Sequence, residues 1–296
     1  MNLVSSAPRQ LGDVEIAPLG LGCWRLVAMP VTDAQAVVES ALDAGMNLVD
    51  TADVYGLDWG GQAFGEAEAL FGQILQQAPS LRDRMILATK GGIVPGVPYD
   101  SSRLRDACEE SLTRLQTESV DLYQIHRPDL LTHPEEVARI LEDLKTSGKI
   151  GAVGVSNFTP HQVDALQAYL SVPIVSQQPE YSALHLDPLF NGTFDQCMTH
   201  KTTVLAWSPL AGGQLAQAEG LSQELGDVLR SLADRESTDV ATIALAFVMA
   251  HPSNPVALVG STNPERIRAS MDALKVSLDR NDVYQIIQAS MGESLP

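Results

Sequence analysis

The chain has 296 residues, 45% of them hydrophobic, and a mean hydropathy of +0.01, so it can bury a large core. Acidic residues outnumber basic ones by 37 to 19, which gives a formal net charge of −18 and a pI of about 4.6. This balance argues against nucleic acid or an anionic membrane as a partner and indicates a solvated acidic surface instead.

Cysteine usage and the N-terminus indicate the compartment. Cys23, Cys108 and Cys197 have neither the spacing of a zinc site nor the density of a disulfide framework, so a reducing cytoplasm is expected. The first ten residues lack the basic start and long apolar region of a signal peptide, and no apolar stretch is long enough to span a bilayer. The sequence offers no ligand set for a metal ion, and a monomer is the default expectation.

Apolar runs and helical spacings alternate along the chain. After a hairpin expected around residues 9–12, short apolar runs predict eight strands, at 19–22, 47–50, 85–90, 120–126, 150–155, 174–178, 203–207 and 256–259. Amphipathic helices are predicted between them, four with side-chain caps at Thr32, Thr132, Thr159 and Asn263. Residues 212–225 and 279–290 lie beyond the eight units.

The spacing of the strands decides the fold class. Strand starts recur about every 34 residues, the size of one strand–helix repeat. The pattern predicts a single α/β domain over residues 1–296, a (β/α)8 TIM barrel with an N-terminal hairpin and extra loops and helices. An open doubly wound sheet is the rival, but no G-x-G-x-x-G fingerprint follows the first strand.

Three consecutive predicted strands end in Asp50, Lys90 and His126. Each residue alone fits a structural role, but the C-terminal strand ends of a TIM barrel converge on its active face, and Tyr55 follows on the next loop. An ammonium group lowers the pKa of a nearby phenol, so Lys90, held by Asp50, would make Tyr55 a better acid. His126 would hydrogen-bond an incoming carbonyl. Such a site protonates C=O but contains no hydride donor, so a cofactor is implied.

Five motifs carry a family resemblance. They are Asp-Thr-Ala-x-x-Tyr-Gly at 50–56, Thr-Lys at 89–90, Ile-His-Arg-Pro-Asp at 125–129, Val-Gly-Val-Ser-Asn-Phe at 153–158 and Trp-Ser-Pro-Leu at 207–210. As a set they resemble the aldo/keto reductase superfamily, and in detail they look most like its bacterial YdhF-like oxidoreductases. The resemblance implies a barrel that binds NADPH without a Rossmann fold and reduces aldehydes or ketones to alcohols. It implies a catalytic tetrad of Asp50, Tyr55, Lys90 and His126.

The same resemblance implies ten cofactor-binding residues. They are Ser156, Asn157 and Gln178 for the carboxamide, Trp207 for the nicotinamide ring, Ser208, Leu210 and Gly213 for the pyrophosphate, and Gly260, Ser261 and Arg266 for the 2′-phosphate. Anion binding at a helix terminus and Arg–phosphate pairing favour the last group. Gly260 stands where many relatives have Lys, and Ala269 and Ser270 replace a Glu–Asn pair that often contacts adenine. NADPH is still expected over NADH because Arg266 and Ser261 remain.

The substrate pocket is expected between loops 91–100 and 127–131, with Trp24 and Trp59 in its wall. An aromatic wall would suit an apolar or aromatic carbonyl compound, although either Trp also fits plain packing. Two other functions stay open at this point. One is a lyase that forms a Schiff base on Lys90, and the other is an NADPH-binding regulatory barrel without turnover.

Overall fold

The computed structural model describes residues 1–57, 60–94, 100–217 and 220–295. An antiparallel hairpin is followed by eight parallel strands that close into a barrel, with β10 paired to β3. The strands are β1 (Arg9–Leu11), β2 (Val14–Ile16), β3 (Leu19–Gly22), β4 (Leu48–Asp50), β5 (Ile86–Gly91), β6 (Val120–Ile125), β7 (Ile150–Ser156), β8 (Ile174–Gln178), β9 (Thr203–Ala206) and β10 (Val256–Val259). The predicted TIM barrel and hairpin are confirmed, and each predicted barrel strand has its observed bounds to within one residue.

Helices alternate with the barrel strands. They are α1 (Val31–Asp43), α2 (Glu66–Gln77), α3 (Leu104–Leu115), α4 (Pro134–Thr146), α5 (Pro160–Gln167), α6 (Asp187–Phe190), α7 (Thr193–His200), α8 (Gln214–Gln217), α9 (Gln223–Glu236), α10 (Val240–Met249), α11 (Pro264–Ser270) and α12 (Arg280–Met291). Short 3₁₀ turns lie at Trp24–Leu26, Pro79–Arg84, Ser101–Arg103, Ala211–Gly213 and Met271–Lys275. The helix α4 shows the usual reason for helix formation here, because Val137, Ile140, Leu141 and Leu144 bury one stripe.

The hairpin packs against the N-terminal end of the barrel interior. Leu11 and Ile16 are buried in one cluster with inward-facing residues of the barrel, among them Val175 and Leu205. The hydroxyl of Thr203, at the start of β9, donates to the carbonyl of Gln10. Since the hairpin packs at the end opposite the strand-end residues, it is a structural element of the fold.

Two of the four predicted helix caps are present in the structure. Thr159 forms the predicted capping box, and Asn263 Oδ1 accepts from two backbone N–H groups of α11. The caps predicted at Thr32 and Thr132 are wrong. The carbonyl of Pro30 already accepts the first bonds of α1, which places Thr32 inside that helix. Thr132 donates to Asp129 instead, and His133 caps α4.

The segments beyond the eight units are largely helical. Residues 212–225 run through α8 into α9, a helix of 14 residues that the sequence prediction did not include, and 279–290 form α12. Arg235 at the end of α9 forms a two-pronged ion pair with Asp282 of α12, with N···O distances of 2.7 and 2.9 Å. Within the described ranges, no helix is both long and apolar enough to cross a membrane.

Candidate active site

A cavity of about 1080 Å³ opens at the C-terminal ends of the barrel strands. Its wall is formed by the loops that follow these strands and by one face of α10. Because all eight strands are parallel and closed into a ring, the residues that follow each strand meet at this end. The cavity is therefore the place where the polar strand-end residues are brought together.

Lys90 lies beneath the cavity with no exposed surface. Its Nζ donates to Asp50 Oδ2 at 2.6 Å, to the Thr51 carbonyl at 2.9 Å and to Tyr55 Oη at 3.1 Å. Burial lowers the pKa of Lys90, but the Asp50 carboxylate and the Tyr55 oxygen raise it by more, so the ammonium form is favoured. All three donor positions of the ammonium are used.

The second carboxylate oxygen of Asp50 binds two buried amides. Gln124 Nε2 and Gln178 Nε2 donate to Asp50 Oδ1 at 3.0 and 3.1 Å. Gln124 Oε1 in turn accepts from Ser176 Oγ at 3.2 Å and from Gln178 Nε2 at 3.3 Å. Gln124 and Ser176 are additions to the predicted site. An available signal for Gln124 was its place two residues before His126, on the same side of the strand.

Tyr55 is half-buried over Lys90. Its carbonyl accepts from the N–H of Ala67 in α2, and its ring stacks on Trp24 with 6.1 Å between centroids. Burial raises the pKa of the Tyr55 phenol, and the Lys90 ammonium offsets this rise only in part. The expected net lowering of that pKa is therefore wrong for the protein without ligands, because loss of water around the phenolate outweighs the ammonium. Tyr55 is a protonated donor.

His126 follows β6 and faces the same cavity. Its ring meets the Tyr55 ring edge-on at 5.7 Å between centroids, and its carbonyl accepts from Asn157 Nδ2 at 3.0 Å. Burial, with smaller contributions from Lys90 and Arg127, lowers the pKa of His126 well below its usual value. The imidazole is thus neutral and carries one N–H donor.

Asn157 and Trp207 form the next part of the wall. Asn157 adopts a left-handed backbone with φ of 59°, which Asn tolerates better than most residues. This turn lets Asn157 Nδ2 reach Ser156 Oγ at 3.0 Å while its Oδ1 accepts from Trp207 Nε1 at 3.0 Å. Ser156 Oγ donates to the Gln178 carbonyl at 2.8 Å. These bonds fix the Trp207 ring at the cavity wall.

The far end of the cavity is reached by the loops after β9 and β10. Ser208 also has a positive φ, of 54°, and its Oγ accepts from the Gly212 N–H at 2.9 Å. In α11, the side chain of Asn263 takes the N–H groups of Glu265 and Arg266. The predicted Asn263 cap thus takes these two N–H groups, whereas the Arg266 guanidinium makes no hydrogen bond or ion pair within the described residues.

The predicted site residues that the structure describes lie together at the C-terminal end of the barrel. Nearly all line the one cavity, namely Asp50, Tyr55, His126, Ser156, Asn157, Gln178, Trp207, Ser208, Leu210, Gly213, Gly260, Ser261, Arg266 and Trp24. Lys90 lies just below it, and Trp59 falls outside the described residues. Among the residues that the structure describes, no group of three or more His, Cys, Asp or Glu could hold a metal ion.

The chain belongs to the aldo/keto reductase family, whose model matches residues 18–290. Membership makes it an oxidoreductase that acts on CH–OH and C=O groups. It is similar to 6-dehydroglucose reductase of Novosphingobium aromaticivorans, with 46% identity over 97% of both chains, and to oxidoreductase YdhF of Escherichia coli, with 35% identity over 96% of this chain and 99% of the other. The holo form of aldo-keto reductase AKR11C1 from Bacillus halodurans is 26% identical, with a TM-score of 0.79 over 99% of this chain and 98% of that one. The resemblance to the YdhF-like group is thereby confirmed.

Proposed function

We propose that this protein reduces aldehydes or ketones to alcohols with NADPH, using Asp50, Tyr55, Lys90 and His126. The carrying observation is that one buried ammonium binds both the Asp50 carboxylate and the Tyr55 phenol at the mouth of the barrel. This arrangement places a phenol, whose pKa the ammonium keeps from rising further, next to a cavity large enough for two ligands.

Each residue of the tetrad has a separate task in this proposal. NADPH, when bound, supplies the hydride that no protein group can provide. The N–H of His126 donates to the substrate carbonyl oxygen and holds it beside Tyr55. Tyr55 Oη gives its proton to that oxygen as negative charge develops there. The Lys90 ammonium stabilises the resulting phenolate, and Asp50 keeps Lys90 charged and in position.

The cavity fits the proposed cofactor. Gln178 Nε2 donates to Asp50 and Gln124. Its Oε1 accepts no hydrogen bond within the described residues, so this oxygen can accept from the carboxamide. Trp207, fixed through Asn157, offers a flat face for the nicotinamide ring. At the other end of the cavity, the unpaired Arg266 offers donors to the 2′-phosphate.

The name of one relative supports a sugar aldehyde as the substrate. The relative from Novosphingobium aromaticivorans, 46% identical over nearly the whole chain, is named for reduction of 6-dehydroglucose. We propose 6-dehydroglucose, or a polyhydroxylated aldehyde like it, as a candidate beside apolar and aromatic carbonyls. We also propose that the protein works in the cytoplasm and is a monomer. Sedimentation of the purified protein would check the oligomeric state.

The test is a carbonyl panel with matched tyrosine variants. NADPH oxidation is followed with nitrobenzaldehyde, methylglyoxal, phenylglyoxal and 6-dehydroglucose. We expect Tyr55→Phe to lower kcat by about 100-fold or more because the proton donor is lost. Tyr284→Phe, which removes an exposed hydroxyl on α12, is the control and leaves kcat unchanged. Turnover that survives in Tyr55→Phe would contradict the mechanism.

Arg266 tests the choice of cofactor. We expect Arg266→Ala to raise KM for NADPH by about tenfold, because a charge-assisted bond to the phosphate is lost, while KM for NADH stays the same. Arg139→Ala, which removes another unpaired guanidinium on α4, changes neither value. Equal efficiency with both cofactors in the unaltered protein would remove the claim of NADPH preference.

The two other functions are less well supported. A Schiff base requires a neutral amine, whereas Lys90 is fully buried, carries a raised pKa and has three hydrogen-bond partners. Borohydride trapping of a substrate on Lys90 would reverse this conclusion. A purely regulatory barrel would bind NADPH tightly and turn over no member of the panel.

A further inference from the structure

Most basic side chains of this acidic protein have a partner. All 19 Lys and Arg residues lie within the described ranges, and the exceptions without a side-chain hydrogen bond or ion pair are Arg127, Arg139, Lys201 and Arg266. Two of these four, Arg127 and Arg266, line the same cavity. With acids outnumbering bases by 37 to 19, a guanidinium without a carboxylate partner at a ligand-binding wall points to a ligand.

The loop that carries Arg127 is held so that nearby carboxylates are used elsewhere. Asp129 Oδ2 accepts from the Ser101 N–H at 2.8 Å and from Thr132 Oγ1 at 2.6 Å, and its Oδ1 accepts from the Leu131 N–H. Among the described residues of the cavity wall, two carry carboxylates, and both are also engaged. Asp50 binds Lys90, and Asp239 caps α10. The guanidinium of Arg127 is therefore left to face a ligand or solvent.

Arg127 lines the cavity next to the residue that is proposed to hold the carbonyl. It directly follows His126, and its charge is near enough to disfavour the protonated form of that imidazole. The neighbouring cavity wall is apolar, from Ile93 and Leu130. A substrate held by His126 would thus lay its carbon chain on this apolar wall and carry any oxygen-rich group toward Arg127.

We propose that Arg127 binds the substrate at a second point, receiving a carboxylate or neighbouring hydroxyls a few carbons from the carbonyl. The proposal rests on the proposed carbonyl reduction and narrows its substrate class to aldehydes with such an oxygen-rich tail. Arg266 and Arg127 then divide the cavity, one serving the cofactor and the other the substrate. A planar guanidinium with several donors suits either acceptor group.

Three aldehydes of equal length test this role. They are 4-oxobutanoate, which carries a carboxylate, erythrose, which carries hydroxyls, and butanal, which carries neither. We expect kcat/KM for one of the first two to exceed that for butanal by about tenfold or more, and we expect Arg127→Gln to reduce this ratio by about tenfold. The preferred aldehyde identifies the acceptor group. Arg139→Gln, the same change at an unpaired arginine outside the cavity, keeps the ratio.

A binding measurement separates this proposal from the proposed reaction. Dissociation constants of the two alcohol products, 4-hydroxybutanoate and erythritol, are measured by calorimetry on the NADP⁺-saturated protein. Weaker binding of either one in Arg127→Gln but not in Arg139→Gln supports the subsite even if no aldehyde is turned over. The proposal is overturned if the ratios and the dissociation constants are the same in the two variants.

Discussion

The two carboxylate oxygens of Asp50 bind different groups. Oδ2 holds the Lys90 ammonium, and Oδ1 accepts from the amides of Gln124 and Gln178. Gln124 also binds the Gln178 amide, so the residue that fixes the carboxylate also orients the proposed carboxamide acceptor. We infer that Gln124 is a positioning residue, because it links the carboxylate that binds Lys90 to the amide proposed to hold the cofactor.

Replacement of Gln124 by Leu tests this connection. In Gln124→Leu, Asp50 Oδ1 loses one of two donors and the Gln178 amide loses one acceptor, so Gln178 can turn its oxygen away from the cavity. We expect KM for NADPH to rise by about tenfold, with a smaller fall in kcat. Steady-state kinetics with varied NADPH would measure both effects.

Gln177→Leu is the matched control for this substitution. Gln177 is equally buried on the same barrel, but its Nε2 donates to the Phe158 carbonyl and it does not line the cavity. It removes a buried amide of the same size, so we expect loss of thermal stability without a specific rise in KM. A rise in KM of the same size in both variants would mean that Gln124 acts only through stability.

Sequence reasoning reaches some of these residues and not others. Asp50, Lys90 and His126 can be predicted because each lies at, or within one residue of, the C-terminal end of a strand whose apolar run is readable in the sequence. The contact between Gln124 and Asp50 depends on barrel register, in which Gln124 lies opposite Lys90, and register is set by packing between distant segments. The direction of the Tyr55 pKa shift likewise depends on burial, which only the folded protein defines.

At the scale of single elements, proline decides where helices begin. His133, Thr159 and Asn263 each precede a Pro, adopt extended backbone and cap the helix that follows. The Pro ring excludes helical backbone from the residue before it, which is the conformation that a cap needs. This explains why Thr132 is not a cap, since the residue next to Pro134 is His133.

A pair of threonines tests this explanation. Thr159 and Thr32 are each followed three residues later by Gln, but only Thr159 is followed by Pro and caps its helix. We expect Thr159→Ala to lower the free energy of unfolding by about 1 kcal/mol. Thr32→Ala is expected to change it by no more than a few tenths of that amount, because Thr32 lies inside α1. Urea unfolding of both variants would show the difference, and equal losses would contradict the assignment of the caps.

The helix α9 is additional to the eight strand–helix units, so the repeat pattern alone does not predict it. Leu225, Leu229, Leu232 and Ala233 are buried at helical spacing, so a readable signal marks this helix. The eight-unit pattern does not need it, and it was therefore absent from the prediction. Extra helices on a barrel must be found from their own periodicity.

For the molecule as a whole, the order of elements was more predictable than its contacts. Alternation of apolar runs and amphipathic segments specifies the closed barrel and places the polar strand ends on one face. The packing of the hairpin against the opposite end, through Leu11 and Ile16, lacks a comparable signal in sequence. It follows from complementarity between segments that are far apart along the chain.

The three cysteines provide a way to measure how often this fold opens. Cys23, Cys108 and Cys197 are free and buried, at the barrel mouth, on α3 and on α7. Burial raises the pKa of Cys23, and it raises those of Cys108 and Cys197 to about 12, so no thiolate forms readily in the folded state. A thiol reagent at neutral pH should therefore react only through opening events, whereas the unfolded chain reacts at once.

The labelling rate of each thiol then reports how often its own part of the fold opens. Cys23 binds the carbonyl of Asp50 through its N–H at 2.8 Å, so its exposure requires movement at the end of the barrel that carries the candidate active site. We expect NADPH to slow the labelling of Cys23 more than that of Cys108 or Cys197, as measured by mass spectrometry after timed quenching. Equal slowing at all three positions would mean instead that the barrel opens as one cooperative unit, with the catalytic end no more mobile than its outer helices.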